Sequence, residues 1–486
     1  MQQLARLFFA LLLKLILVLC LICNAETQAQ SKSTSISVNS DNGKTTINFS
    51  NGRSNSFQLE FEGEITLSDD DKDIVAISRG GYLEIKKSAF GNRRRIFMEA
   101  DGNGKLIKKY YVGGSERAFE QEGRQWLGEI LPEVLRSSTI AAEQRVDRMY
   151  GKGGTKAVLQ EVDYMDSDYV KSYYIKLLLN KNPKNSDLIP ILEVVGDDID
   201  SDHHKAEILK HNTSAYLASE ASTAAYIRAA EQIDSDHHMA EVLKKAVRDN
   251  NISQPQMKEL FGITKEISSD HHKAEVLMTV LKNRSLGTDN VDLLVKTSRD
   301  ISSDHHRARV LKTALATSGL SERNYGTLLK SVDGISSDHH AASVFTELLN
   351  RPMDGASLSE LFALVDRSMS SDYHQASVLK KAIQKQKIDD SSLAVLLEAI
   401  RDISSDNHKA AVLKQLAKKH FTDSQLIRIL EATTSLGSDY HHADTLLAFA
   451  PTVKEKGTKV KDAYRNACND ISSGSHYGKA IRAINN

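Results

Sequence analysis

Cysteine is nearly absent, with Cys20, Cys23 and Cys468 the only three in 486 residues. The first two lie in an apolar N-terminal segment. A chain that loses this segment keeps Cys468 alone and can form no internal disulfide, so burial must stabilise it, as it can in a chain of this size. Excess charge of one sign is absent too. The 63 Lys and Arg offset 64 Asp and Glu, for a formal net charge of -1, which excludes a global attraction to nucleic acid or an anionic membrane surface. No apolar run is long enough to span a membrane. The stretches Leu7 to Leu13 and Leu15 to Cys23 are interrupted by Lys14 and fall short of the roughly 20 residues a spanning helix needs. Catalytic signatures are lacking as well: there is no His-Glu-x-x-His, nucleophile elbow or phosphate loop. The sequence therefore predicts no catalytic, cofactor-binding or metal site, and a protein that is not an enzyme.

What is present begins with Arg6, the two apolar runs, and a polar stretch containing Ala25 and Ala29. That order predicts a signal peptide over residues 1–29, cleaved after Ala25 or Ala29. Bulky Leu21 and Ile22 argue against lipid modification of Cys23. The expected location is periplasmic or secreted, with no stable membrane span once the signal is removed; an uncleaved N-terminal anchor is the alternative.

With 40% hydrophobic and 26% charged residues, the remaining chain can bury a large core. Over residues 30–114 apolar residues alternate with period two, as in Ile47 and Phe49, Phe57, Leu59 and Phe61, Leu83 and Ile85, Ile96 and Met98. Such alternation predicts half-buried antiparallel strands, six to eight of them, in a sandwich or curved sheet. Turn residues fall between the runs at Asn42-Gly43, Asn51-Gly52, Gly80-Gly81 and Asp101 to Gly104. The cluster Asp69-Asp70-Asp71 with Asp73 lacks the glycine and distal glutamate of a calcium loop and reads as a solvated turn. Arg93-Arg94-Arg95 reads as a charged hairpin tip. Residues 115–154 change to helical spacing, with Phe119, Trp126, Leu127, Ile130, Leu131, Val134 and Leu135 on one face, and predict a helical connector ended by Gly151 to Gly154.

From residue 155 to 486 the chain repeats. A Ser-Asp pair recurs with its aspartate at Asp168, Asp202, Asp236, Asp270, Asp304, Asp338, Asp372, Asp406 and Asp439, in steps of 34 residues and a last step of 33. A period in this range predicts an α-solenoid of stacked helix pairs, here about nine plus an atypical terminal copy. The fold class is thus α+β, an antiparallel β domain followed by a long α-solenoid. Before each aspartate stand an apolar residue three positions back, from Met165 to Leu436, and an Asp, Ser or Gly two positions back that is expected to cap the helix. The aspartate then lies in the first turn, where its charge suits the helix dipole. A small residue four positions after it, Ser172 or an alanine, and apolar pairs such as Val276 and Leu277 complete a buried stripe.

Histidines follow most Ser-Asp pairs, with His-His at 203–204, 237–238, 271–272, 305–306 and 339–340. A metal array is one reading, because imidazole is a common ligand. Consecutive helical residues point about 100° apart and stacked helices lie about 8–10 Å apart, whereas zinc needs convergence to about 2.0–2.1 Å. Tyr169, Tyr373, Asn407 and Tyr440 replace the first histidine, so imidazoles packing between repeats is the favoured reading.

The units Ser201 to Lys210 and Ser303 to Lys312, of the form Ser-Asp-x-His-Lys-Ala-x-Val-Leu-Lys with small changes, resemble repeats of uncharacterised bacterial exported proteins. They are also similar to the extracytoplasmic tails of membrane metallopeptidases of the beta-lactam-sensor type, where a segment like Ser78 to Leu83 precedes the helices. The resemblance covers Phe61 to the end, and it implies a shared accessory or sensing module without the peptidase. The expected function is an exported, non-catalytic protein-interaction or envelope-sensing scaffold that binds protein or peptide on its repeat surface; a histidine-rich metal-binding protein of the periplasm is the alternative.

Overall fold

The computed structural model describes residues 34–41, 44–51, 55–89, 92–249, 252–283, 287–317 and 321–485. The expected signal peptide, the Asn42-Gly43 turn and Gly52 lie outside them. Among the described residues no helix is long and apolar enough to cross a membrane. The chain forms two compact units, Met1–Asp187 with Asp198–His204, and Leu188–Asp197 with Lys205–Asn486.

The first unit opens with strands β1 (Thr34–Asp41), β2 (Lys44–Asn51), β3 (Asn55–Glu62), β4 (Ile65–Leu67), β5 (Ile74–Ile77), β6 (Tyr82–Ala89), β7 (Asn92–Ala100), β8 (Leu106–Val112) and β9 (Ser115–Arg117). Seven form one antiparallel sheet in the order β1-β2-β3-β6-β7-β8-β9, and β4 and β5 make a separate hairpin. Alternation places Ile47, Leu59, Leu83, Ile85, Ile96 and Met98 in one core. Gly81 has a reason to be glycine, since a Cβ there would lie 2.4 Å from the Glu62 carbonyl oxygen, and Gly80 beside it sits at φ +77°.

Two boundaries differ from the sequence expectation. Ser115–Arg117, expected to begin the helical connector, is the edge strand β9 paired with β8. Helix Arg124–Arg136 is also more than a connector. Trp126, Leu127, Ile130, Leu131, Val134 and Leu135 belong to the same core as the strands, so the helix is the second layer that the sheet's apolar face requires. Fully burying each such side chain contributes about 1.5–3 kcal/mol. The following helix, Ala142–Val162, breaks at Gly153 and Gly154, the latter at φ +61°, where the glycine run predicted an end.

The acidic turn is not simply solvated. Arg145, 2% exposed, donates from Nε to Asp71 at 3.0 Å and from Nη2 to Glu161 at 2.7 Å, while its Nη1 meets the Tyr174 hydroxyl. Arg148 also pairs with Asp71, and Lys108 and Arg124 pair with Asp73. Burial opposes the Arg145 charge, but Tyr174, Asp71 and Glu161 hold its pKa above the ordinary value. This one guanidinium ties the hairpin turn, helix Ala142–Val162 and the first Ser-Asp helix, Asp168–Leu179.

In the second unit, helices that begin at a Ser-Asp aspartate pack on one another in sequence, from Asp236–Asp249 through Asp270–Asn283 to Asp439–Lys454 and the terminal Gly474–Asn485. The intervening helices pack likewise, from Glu220–Glu231 to Thr458–Cys468. Like helix stacks on like helix in two layers, which is the α-solenoid. The expected buried positions are buried, among them Ile267, Ile301 and Ile403 before the aspartates, Ala274 and Ala376 after them, and the pairs Val276-Leu277 and Val412-Leu413.

Replacing Arg145 with alanine leaves Asp71 and Glu161 without their buried partner. Urea unfolding followed by the fluorescence of Trp126, the single tryptophan, is expected to show a loss of about 3–5 kcal/mol in the first unit.

Candidate functional site: a clasp and a ring ladder along the repeats

Each repeated aspartate opens its helix, and the serine before it is the N-cap. Ser303 and Ser438, at extended φ/ψ, accept from the third helical amide, His306 N and His441 N. The cap therefore lies one residue later than the Asp, Ser or Gly expected from sequence. The physical reason is that the aspartate is itself the first helical residue, so the serine before it is where the chain turns from extended to helical, while both amides ahead of the helix are taken by the preceding repeat. Asp270 accepts from Ser302 N at 3.1 Å and Ser303 N at 2.7 Å; Asp304 accepts from Ser336 N at 3.2 Å and Ser337 N at 2.8 Å. The same pair of bonds runs from Asp236, Asp338, Asp372 and Asp406 to the next repeat. Asp439 reaches Ser472 and Ser473, and in the first unit Asp168 accepts from Ser201 N at 2.7 Å. The aspartate thus holds the loop that opens the following Ser-Asp helix. The terminal copy has Gly474 in the aspartate's place, so it supplies amides to Asp439 but no carboxylate of its own.

A second contact runs in the opposite electrical sense. Three residues after the aspartate, buried Lys205, Lys273 and Lys409 donate to the carbonyls of Gln232 at 2.7 Å, Asp300 at 3.1 Å and Ser435 at 3.1 Å. Arg307 reaches Gly334 O at 2.6 Å in the same way. These carbonyls end the intervening helix of the next repeat, where a cation is favourable. Sequence reasoning quoted this lysine within the motif without assigning it a role; its signal was recurrence at Lys171, Lys205, Lys273, Arg307 and Lys409.

The clasp brings the histidines into a ladder. His237 meets His238 of its own repeat and His272 of the next, with ring centroids 5.3 and 5.5 Å apart. His271 then meets His306 at 5.4 Å, His305 meets His340 at 5.5 Å, and His339 meets His374 at 5.7 Å. Most of these contacts are edge-to-face. Tyr373 continues the ladder to His408 at 6.0 Å, Asn407 carries no ring, and Tyr440 resumes it with His441 and His476. First-position rings are exposed, Tyr373 at 63% and Tyr440 at 59%, and second-position rings are half-buried. Among the described residues no group of three or more His, Cys, Asp or Glu could hold a metal ion. His306 Nδ1 is buried and is the one such side-chain atom among the described residues with no hydrogen-bond partner.

No protein-family model and no curated protein matches the chain. Among solved structures it aligns with a circular tandem repeat protein with novel repeat topology and enhanced subunit contact surfaces, at 11% identity and a TM-score of 0.14, over 76% of this chain and 79% of that one. So low a score carries no argument, and the fold rests on the geometry above.

Two predictions follow from the clasp and the ladder. Asp304→Ala leaves the Ser336 and Ser337 amides without their acceptor and is expected to cost about 1–3 kcal/mol in denaturant unfolding, whereas replacing exposed Lys312, outside the clasp, costs under about 0.5. The second concerns pH. Burial, with neighbouring imidazoles, pushes His272 and His306 below the ordinary histidine value; Asp236 and Asp270 partly oppose this, while Lys244 and Arg309 add to it. Burial likewise lowers His442. A depressed histidine is neutral on both sides of unfolding at high pH, and below about 6.5 the unfolded chain takes the proton first. The thermal midpoint is therefore expected to hold from pH 8 to 7 and to fall between 6.5 and 5. The double variant His272→Phe, His306→Phe, which keeps the ring contacts, is expected to flatten that fall.

Proposed function

We propose that this protein is an exported, non-catalytic interaction scaffold that lays a protein or peptide partner along the ring ladder of its repeats. Repetition supports the reading, because a two-layer helical array presents an exposed histidine or tyrosine ring in every Ser-Asp repeat but the one with Asn407, and extended partners are held by such surfaces. The ring chemistry supports it as well. Tyrosine and histidine offer an apolar body and a polar edge, so they can contact a partner and still stand in water without it. The single observation that carries the proposal is the exposure of Tyr373 and Tyr440 in the position that histidine holds in the five repeats from His203 to His339.

Export rests on the order of charge, apolar run and small residues before Ala25 and Ala29, and on the resemblance of the Ser-Asp-x-His units to exported bacterial proteins. An envelope-sensing role, as in accessory modules of membrane metallopeptidases, is the finer form of the same reading.

The mature N-terminus, read by mass spectrometry, is expected at residue 26 or 30. Affinity capture from an envelope fraction with the wild-type chain is expected to retain a partner that the double variant Tyr373→Ser, Tyr440→Ser releases. A partner retained equally by both would place binding elsewhere, and a full-length, unprocessed chain in the cytoplasm would remove the export reading.

A further inference from the structure

The outward face of the β domain's sheet carries chemistry that the repeat surface does not use. Strand register aligns Asn48, Gln58, Lys86, Arg95 and Tyr111, one from each of β2, β3, β6, β7 and β8, in a single row. Their neighbours Ile47, Leu59, Ile85 and Ile96 are core residues, so alternation turns this row away from the core. A second row, Ser50, Ser56, Ser88 and Arg93, runs beside it. Together the rows line a cleft of about 690 Å³, a trough crossing the strands.

Its cations are held in place. Glu84, 7% exposed, accepts from Arg95 Nε and, through Oε2, from Lys86 Nζ. The Arg95 guanidinium lies 5.0 Å from the Tyr111 ring and 5.7 Å from the Phe97 ring. With Nε committed to Glu84, the Nη groups make no hydrogen bond to a described residue, and neither does the side chain of the exposed Arg93. A guanidinium fixed by stacking, with an open pair of donors, matches a planar carboxylate or a sulfate.

We propose that this trough binds an acidic polysaccharide, with a sugar carboxylate or sulfate on Arg95 and Arg93 and sugar hydroxyls on Asn48, Gln58 and the serines. The lining distinguishes this occupant from the other polymers. Amides and hydroxyls both donate and accept, as sugar hydroxyls require. A single strand of nucleic acid would call for a cation at each phosphate along the trough and open aromatic faces for its bases; here the lining cations Lys86, Lys87, Arg93, Arg94 and Arg95 all stand on β6 and β7, with none from β2 or β3, and Arg95 covers Tyr111. A peptide would call for an apolar anchor pocket; Phe49 and Phe57 also border the cleft but are spent in the core, each 3% exposed, and the two rows are polar apart from the Tyr111 ring. The inference does not depend on what the repeats bind.

The test is calorimetric titration of the full mature chain with a polygalacturonate hexamer, a heparin-derived hexasaccharide, maltohexaose and a thymidine hexanucleotide. At least one acidic sugar is expected to bind, about tenfold or more tighter than maltohexaose and the oligonucleotide; the better of the two identifies the anion. Arg95→Gln and Arg93→Ser are each expected to weaken binding about tenfold, the loss of one charge-assisted contact, with an unchanged circular dichroism spectrum. Because Arg93 is exposed and unpaired, Arg93→Ser keeps the fold even if Arg95→Gln does not. Absence of binding to both acidic sugars, equal binding of maltohexaose or the oligonucleotide, or unchanged affinity in Arg93→Ser would overturn the proposal.

Discussion

A carboxylate that accepts two backbone amides of the following repeat is the contact on which the helical array depends. The first amides of any helix lack partners within it, and from the Asp270 helix onward the loop before each Ser-Asp helix is satisfied largely from outside, by the aspartate one repeat earlier. A buried cation on the same helix does the converse for the carbonyls that end the neighbouring helix. Each unit is therefore electrically incomplete alone, over and above its exposed apolar stripe. The bonds also set the offset between neighbours, and that offset brings successive imidazoles to edge-to-face distance. The ladder is in this sense a consequence of the clasp, and any surface it offers inherits its spacing from backbone hydrogen bonds.

Departures from the repeat show which part is least dispensable. Met239 and Ala341 stand where other repeats have a cation, and Gln375 turns back to the Met369 carbonyl of its own repeat. Asn407 drops its ring and interrupts the ladder. The shortened step between Asp406 and Asp439 leaves the clasp intact, with Ser438 N at 2.6 Å from Asp406, so the missing residue is absorbed elsewhere. Gly437 serves as well as serine in that repeat because only its amide is used.

The period, the buried stripe and the two-helix unit were legible because each leaves a periodic mark on side-chain type. Residues such as Ile301, Ala308 and Val310 announce their burial by recurring at fixed offsets. The partners of Asp304 were not legible, because they are backbone amides, which every residue has and no side chain advertises; the dipole of its own helix gave the aspartate a sufficient local explanation, and the cap was accordingly placed one residue early. Lys273 was hidden for the same reason, its acceptor being a carbonyl. In the β domain, period two located the strands, but the helical spacing around Trp126 could not say that this helix covers the sheet. The pairing of Asp71 with Arg145 joins residues 74 apart, and only the fold brings them together. The outward trough was likewise invisible, since its row is assembled across five strands by register.

The most direct measurement is hydrogen exchange at the Ser404 and Ser405 amides in the wild-type chain and in Asp372→Ala. Asp372 accepts from both, at 3.2 and 2.7 Å, and no bond within the Ser-Asp helix Asp406–Leu416 protects them. Slow exchange in the wild type and markedly faster exchange at these two positions in the variant, with the helix cores still protected, is the predicted result. Equal exchange at Ser404 and Ser405 in both chains would contradict the account.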